Sequence, residues 1–235
     1  MHCIGYDENL KLRLRSRFLW GTKRIDTIRY NSIYENEDGE KNFPTRRNER
    51  SWIGGMFKKF TTEDSISSTS QIKNSVQRSI ITQLVNQYPL LEDAIESLLP
   101  KKAMMIAKCQ DNIQLIIVNN EIVFYNQMNG PFFPTLKVLH KYPSMMDKMQ
   151  VDKGAIRFIL SGSNIMCPGF TSKGGLMATP IEEEKPVAIY AEGKVNAMAV
   201  GLTKMSTERI KSVNKGIAVE NVHYLMDGLW QTKSV

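Results

Sequence analysis

The stretch VDKGAIRFILSGSNIMCPG, residues 151 to 169, decides how the rest of the chain is read. Asp152 is suited to cap a short helix, because its carboxylate can accept the free amides of a first turn. Ala155, Ile156, Ile159 and Leu160 give that helix one apolar face, and Gly162 ends it by supplying a left-handed residue. The Pro168-Gly169 pair then predicts a turn. A capped helix followed by a glycine turn leaves backbone N–H groups unshielded, so a phosphate or a base edge can approach closely. Lys153 and Arg157 add positive charge beside that surface.

Toward the C-terminus, residues 187 to 191 and 197 to 203 read as strands joined by a tight connection through Glu192-Gly193. Ser206 caps a helix running to Asn214, Lys211 and Lys215 complement its C-terminal end, and Gly216 closes it. A last strand region covers residues 217 to 230, interrupted at Asp227-Gly228. Short strands, two short helices and punctuating glycines predict a small closed or partly closed barrel.

Toward the N-terminus, residues 144 to 150 read as a linker, and residues 135 to 141 as a helix with Pro134 in its first turn. Before them, Asn119-Asn120 separates two apolar runs, 113 to 118 and 121 to 125. Asn tolerates the positive φ of a two-residue hairpin turn, so a hairpin is expected. Residues 102 to 108 add a strand, residues 92 to 99 a helix stopped by Pro100. Ile72, Val76, Ile80, Leu84 and Tyr88 recur at i+4 and predict a longer helix ended by Pro89. The Ser/Thr-rich residues 61 to 70 read as a loop leading to it. The class is α+β, with one small α+β unit preceding the barrel.

Composition bounds the function. The 235 residues carry a net charge of +7 and are 42% hydrophobic, enough to bury a core and to favour a polyanionic partner. Cys3, Cys109 and Cys167 lie far apart, which disfavours a zinc ribbon or a disulfide framework and fits a reducing compartment. No apolar run approaches the roughly 20 residues of a membrane helix, and no secretory signal is visible in the first thirty. Residues 1 to 55 hold 11 Lys and Arg against 8 Asp and Glu without amphipathic period, and are expected to be a disordered extension. Within them, the alternating basic and apolar residues 11 to 17 suit an RNA-binding arm, an edge strand or part of a targeting peptide.

Residues 151 to 169 resemble the signature of PUA domains. The resemblance extends through Met56-Phe-Lys-Lys-Phe60, Pro100-Lys-Lys102, Asn129-Gly-Pro-Phe-Phe-Pro-Thr135, Leu139-His-Lys-Tyr-Pro143, Asn214-Lys-Gly216 and Asp227-Gly-Leu-Trp230 to the malignant T-cell-amplified sequence family of translation factors. It implies a pre-PUA α+β domain over residues 56 to 147 and a PUA-type β-barrel over 148 to 235. It further implies a cytoplasmic protein that pairs with a density-regulated-protein-like subunit. The implied work is release of tRNA and mRNA from the small ribosomal subunit and support of re-initiation. On this reading Lys153, Gly154, Ala155, Arg157, Ser161, Gly162 and Asn164 face RNA, with Lys173, Lys204 and Lys211 as phosphate contacts.

A catalytic role finds little support in the residues. His2, His140 and His223 are scattered, and His140 reads as a packed or hydrogen-bonding residue rather than a base. Glu182-Glu183-Glu184 reads as a solvated loop rather than a metal site, and Gly174-Gly175 lacks the context of a phosphate loop. The expectation is therefore a protein with no catalytic residue, metal or cofactor. PUA domains also accompany pseudouridine synthases and tRNA-guanine transglycosylases, so an RNA-modification protein is the rival from another class. A third reading is an adaptor that docks a partner through Phe132 and Phe133, which could equally be core.

Overall fold

A computed structural model describes residues 57 to 100 and 104 to 235. The extension over residues 1 to 55, the readings of residues 11 to 17 and of Met56, and the Lys101-Lys102 pair lie outside the described residues.

The first domain is a five-stranded antiparallel sheet, its strands neighbouring one another in chain order, accompanied by helices. Short helix α1 (Thr62–Ser65) leads directly into β1 (Ile66–Gln71), then α2 (Asn74–Gln87), a 3₁₀ helix over Pro89–Ala94 and α3 (Ile95–Leu98). Strands β2 (Met104–Cys109), β3 (Ile113–Val118), β4 (Glu121–Gln127) and β5 (Phe133–Pro134) follow, with α4 (Leu136–Lys141) last. The hairpin is as expected, with φ of 50° at Asn119 and 63° at Asn120.

Several expectations are revised in this half. The Ser/Thr-rich residues 61 to 70 form α1 and most of β1 rather than a loop. As an edge strand with exposed faces, β1 needs no apolar alternation, and its backbone pairs on one side with β2. The helix predicted over residues 92 to 99 starts inside the 3₁₀ helix Pro89–Ala94 and continues as α3 to Leu98. Pro134 belongs to edge strand β5, where a missing N–H is tolerated, and Thr135 caps α4. The apolar stripe of α2 is rotated from the i+4 reading: Ile80 and Leu84 are buried, while Val76 is 43% exposed and Gln77 takes the inward position. Phe132 and Phe133 are both core residues, which removes the exposed aromatics from the adaptor reading.

The second domain is a curled five-stranded sheet whose strands, counted along the chain, lie in the order first, third, fourth, fifth, second. Strand β6 (Lys148–Val151) is followed by a tight turn over Lys153–Ala155 and by α5 (Ile156–Ile159), β7 (Ile165–Met166) and α6 (Cys167–Thr171). Then come β8 (Pro186–Ala191), β9 (Ala199–Thr203), α7 (Thr207–Val213), β10 (Ile217–Tyr224) and α8 (Gly228–Gln231). Helix α6 ties edge strand β6 to the start of β10: the Asp152 amide after β6 donates to Gly169 at 3.0 Å, and the Cys167 amide donates to Gly216 beside β10 at 3.0 Å.

Here too the structure departs from the sequence reading. The supposed linker contains β6, which pairs in parallel with β8 and buries Met149 and Val151. Cys167-Pro168-Gly169 opens a helix instead of forming a turn, since proline is pre-organised for a first helical turn. The link between β8 and β9 is longer than a tight turn, although Gly193 does take a φ of 73°. Asn214 is the left-handed cap of α7 rather than its last helical residue, and the region around Trp230 is helix α8, capped by Asp227.

The two domains share a core. Phe57, Tyr125 and Phe133 of the first pack in one apolar cluster with Tyr190, Val222 and Leu229 of the second. A separate core fills the barrel around Val151, Ile159, Phe170, Ile189 and Val219.

Candidate RNA-binding surface

Asp152 leaves β6 in extended conformation, and its carboxylate accepts the Ala155 amide at 3.0 Å. That bond starts the turn over Lys153–Ala155 and runs it into α5, whose Ile159 is buried in the barrel core. Burial on one face of so short a helix forces the opposite face outward. Arg157 and Phe158 stand there, the ring 51% exposed and the guanidinium carbon 4.6 Å from its centroid.

Between α5, β7 and α6 lies a groove of about 660 Å³. Gly154, Ala155, Arg157 and Asn164 line it with Phe158, Met166, Pro168 and Ile217. Phe158, Met166 and Ile217 are all exposed, so the groove is apolar at its floor and carries the Arg157 cation at its rim.

Lys153 sits beside the groove with its ammonium 4.0 Å from Glu192, both well exposed, a pairing that water largely screens. Lys173 follows Ser172, itself a lining residue. Ser161 and Gly162 form the exit of α5: the Ser161 hydroxyl donates to the Phe158 carbonyl at 2.7 Å, and Gly162 has a φ of 90°. A side chain at Gly162 would be strained by that φ and would also strike the Tyr224 hydroxyl.

Two predicted residues are not brought to this place. The Lys204 ammonium lies 2.8 Å from Glu184 and 3.9 Å from the buried carboxylate of Glu220, and Lys211 projects from α7; neither lines the groove. Of the acidic triplet, Glu183 pairs with Arg209 at 3.0 Å and Glu184 with Lys204 at 2.8 Å, ion pairs at the surface.

Sequence reasoning missed the residue that holds the α5 exit in place. Buried Asn221 of β10 donates to the carbonyls of Ile159 at 3.0 Å and Ser163 at 3.1 Å, and its amide donates to the Asn164 side chain at 3.0 Å. It lies 57 residues from Asn164, and no local pattern marks it. Phe158 and Met166 were also missed, because an apolar residue in sequence gives no sign of which face it will occupy.

His140 Nε2 lies 2.7 Å from the Ala197 carbonyl, a hydrogen-bonding role. His223 and Asp227 form a close pair, 1% and 0% exposed, that no substrate reaches. Burial pushes the Cys109 thiol up to about 11 and raises that of Cys167, the reverse of what a nucleophile needs. Among the described residues no cluster of His, Cys, Asp or Glu is placed to hold a metal ion, and no helix is long and apolar enough to cross a membrane.

The chain matches the Pre-PUA-like domain over residues 60–143 and the PUA domain over residues 147–225. It resembles the solved structure of a hypothetical protein from Pyrococcus horikoshii with a TM-score of 0.57 and 26% identity, covering 70% of this chain and 98% of that one. It is 52% identical over 182 residues to the malignant T-cell-amplified sequence 1 homolog of Drosophila melanogaster, covering 77% of this chain and 100% of the relative. With malignant T-cell-amplified sequence 1 of Danio rerio it is 49% identical over 180 residues, 76% of this chain and 99% of the relative. At this identity, and with both domains in the same order, the chain belongs to the malignant T-cell-amplified sequence family.

Proposed function

We propose that this chain is a non-catalytic, cytoplasmic RNA-binding translation factor. On this reading it acts with a density-regulated-protein-like partner on the small ribosomal subunit, in release of tRNA and mRNA and in re-initiation. Family membership and the PUA domain support the RNA-binding, translation-related part of this reading.

The observation that carries it is the groove beside α5, where an exposed aromatic ring, a cation stacked on it and an apolar floor occur together. Stacking of an unpaired base on Phe158 with phosphates held by Arg157, Lys153 and Lys173 uses each of these groups. Single-stranded nucleic acid is bound by this combination of aromatic platform and basic rim. Gly154, Ala155, Ser161, Gly162 and Asn164 supply the close backbone approach.

The experiment is sedimentation of the full chain with small ribosomal subunits and the partner, beside a Lys153→Glu, Arg157→Glu double variant. The variant should leave the subunit fraction and show a shallower salt dependence in tRNA binding. Unchanged association of a folded double variant would refute the assignment of this surface, and modified nucleosides among the products would favour the enzyme reading.

A further inference from the structure

The pattern Phe-Lys-Lys-Phe at residues 57 to 60 places two aromatic anchors around two cations. Phe57 and Phe60 are buried with their rings 5.6 Å apart, and the Phe57 ring meets Tyr125 edge-on at 4.8 Å. The Phe57 carbonyl accepts the Phe60 amide at 3.2 Å and the Gly228 amide of the second domain at 2.8 Å. Gly228 fits there because it has no Cβ; one would stand 2.2 Å from the Phe60 carbonyl oxygen. The turn is thereby fixed to both domains, and Lys58 and Lys59 are left exposed on its outer side.

The Lys58 ammonium donates to the Ser161 carbonyl at 3.4 Å. The Ser161 amide and hydroxyl both donate to the Phe158 carbonyl, so Lys58 stands one turn of chain from the ring at the groove. Among the described residues, Lys58, Lys59 and Arg157 form no ion pair. Three cations without a carboxylate partner thus run from the first domain along the exit of α5 to the groove.

We infer that Lys58 and Lys59 are phosphate contacts of the same RNA surface, so that one strand is held by both domains at once. The inference rests on the RNA reading of the groove and adds the first domain to it. An acidic protein would suit the lysines alone. Single-stranded RNA also accounts for the exposed aromatic ring and apolar floor that follow directly after them.

The test uses the full chain and a fluorescein-labelled single-stranded oligouridine RNA, with affinity measured by anisotropy across a salt series. A Lys58→Glu, Lys59→Glu variant should bind about tenfold more weakly near 0.1 M salt, and each lost phosphate contact lowers the log–log slope by roughly 0.7. A Lys73→Glu, Lys108→Glu variant makes the same change in net charge elsewhere on the first domain, and should retain most of the slope. The milder Lys58→Ala, Lys59→Ala variant should lose the same slope with its melting temperature unchanged, which separates contact from folding. Equal weakening by the two charge-reversed variants would overturn the inference. So would an unchanged slope at Lys58 and Lys59 while Arg157→Glu lowers it. No binding by the unmodified chain would overturn the RNA reading of the groove and this inference together.

Discussion

His223 Nδ1 donates to the Asp227 carboxylate at 2.7 Å where the two domains meet, and the same carboxylate accepts the amides of Tyr224 at 3.0 Å and Trp230 at 2.8 Å. One buried side chain thus pairs a histidine, closes the turn after β10 and caps α8. Asp227→Ala strands three donors and should destabilise the chain by about 3 kcal/mol, more than loss of an exposed cap. Urea denaturation followed by tryptophan fluorescence checks this, with Asp227→Asn expected to fall between the two.

Gly228 next to it offers a separate test of the domain junction. A methyl group there meets the carbonyl of Phe60 at 2.2 Å, backbone that cannot step aside cheaply. Gly228→Ala should cost about 2 kcal/mol or more. Amide exchange at Gly228 and Trp230 should accelerate before that of β8 and β9, because the junction opens while the barrel stays closed.

Glu220 makes stability depend on pH in a direction opposite to that of most carboxylates. Burial pushes its carboxyl up to about 7, while the nearby Lys204 cation pulls it down and Glu184 pushes it up. The folded chain therefore holds this proton more tightly than the unfolded chain. The stabilisation is full below the ordinary carboxyl range, near 4.5, and is lost as pH rises through about 7. Glu220→Gln should remove that dependence and raise stability at pH 8 by on the order of 2 kcal/mol, read from thermal melts across pH 4 to 8.

Neighbouring residues 158 and 159 should separate binding from folding. Phe158→Ala removes an exposed ring and should leave the melting temperature nearly unchanged, while RNA affinity falls by about 1–3 kcal/mol. Ile159→Ala empties a core position and should cost about 2–5 kcal/mol of stability. Paired melts and anisotropy titrations of the two variants check the contrast.

What the sequence made legible follows the range of the interactions. The hairpin at Asn119-Asn120 and the caps Asp152 and Ser206 are set by residues within three or four positions, and they stand as read. Strand β6 was not legible, because only pairing with β8, forty residues on, makes Lys148–Val151 a strand. Strand β1 was hidden for another reason: an exposed edge carries no apolar alternation. In the candidate site, the cap, the glycines and Arg157 could be read from local chemistry. Phe158 and Asn221 could not, since their positions depend on which surfaces are brought together across the fold.

Strand β6 also determines what kind of object the molecule is. It begins seven residues after α4 of the first domain and ends at Val151, immediately before Asp152, the cap that starts the rim of the groove. No slack chain lies between the domains, and a common core fixes their angle. The protein is therefore a caliper rather than two beads on a string: the span between its two halves is set before any ligand arrives. An RNA strand held by both halves, as inferred above, would bind without the entropic cost of halting a hinge.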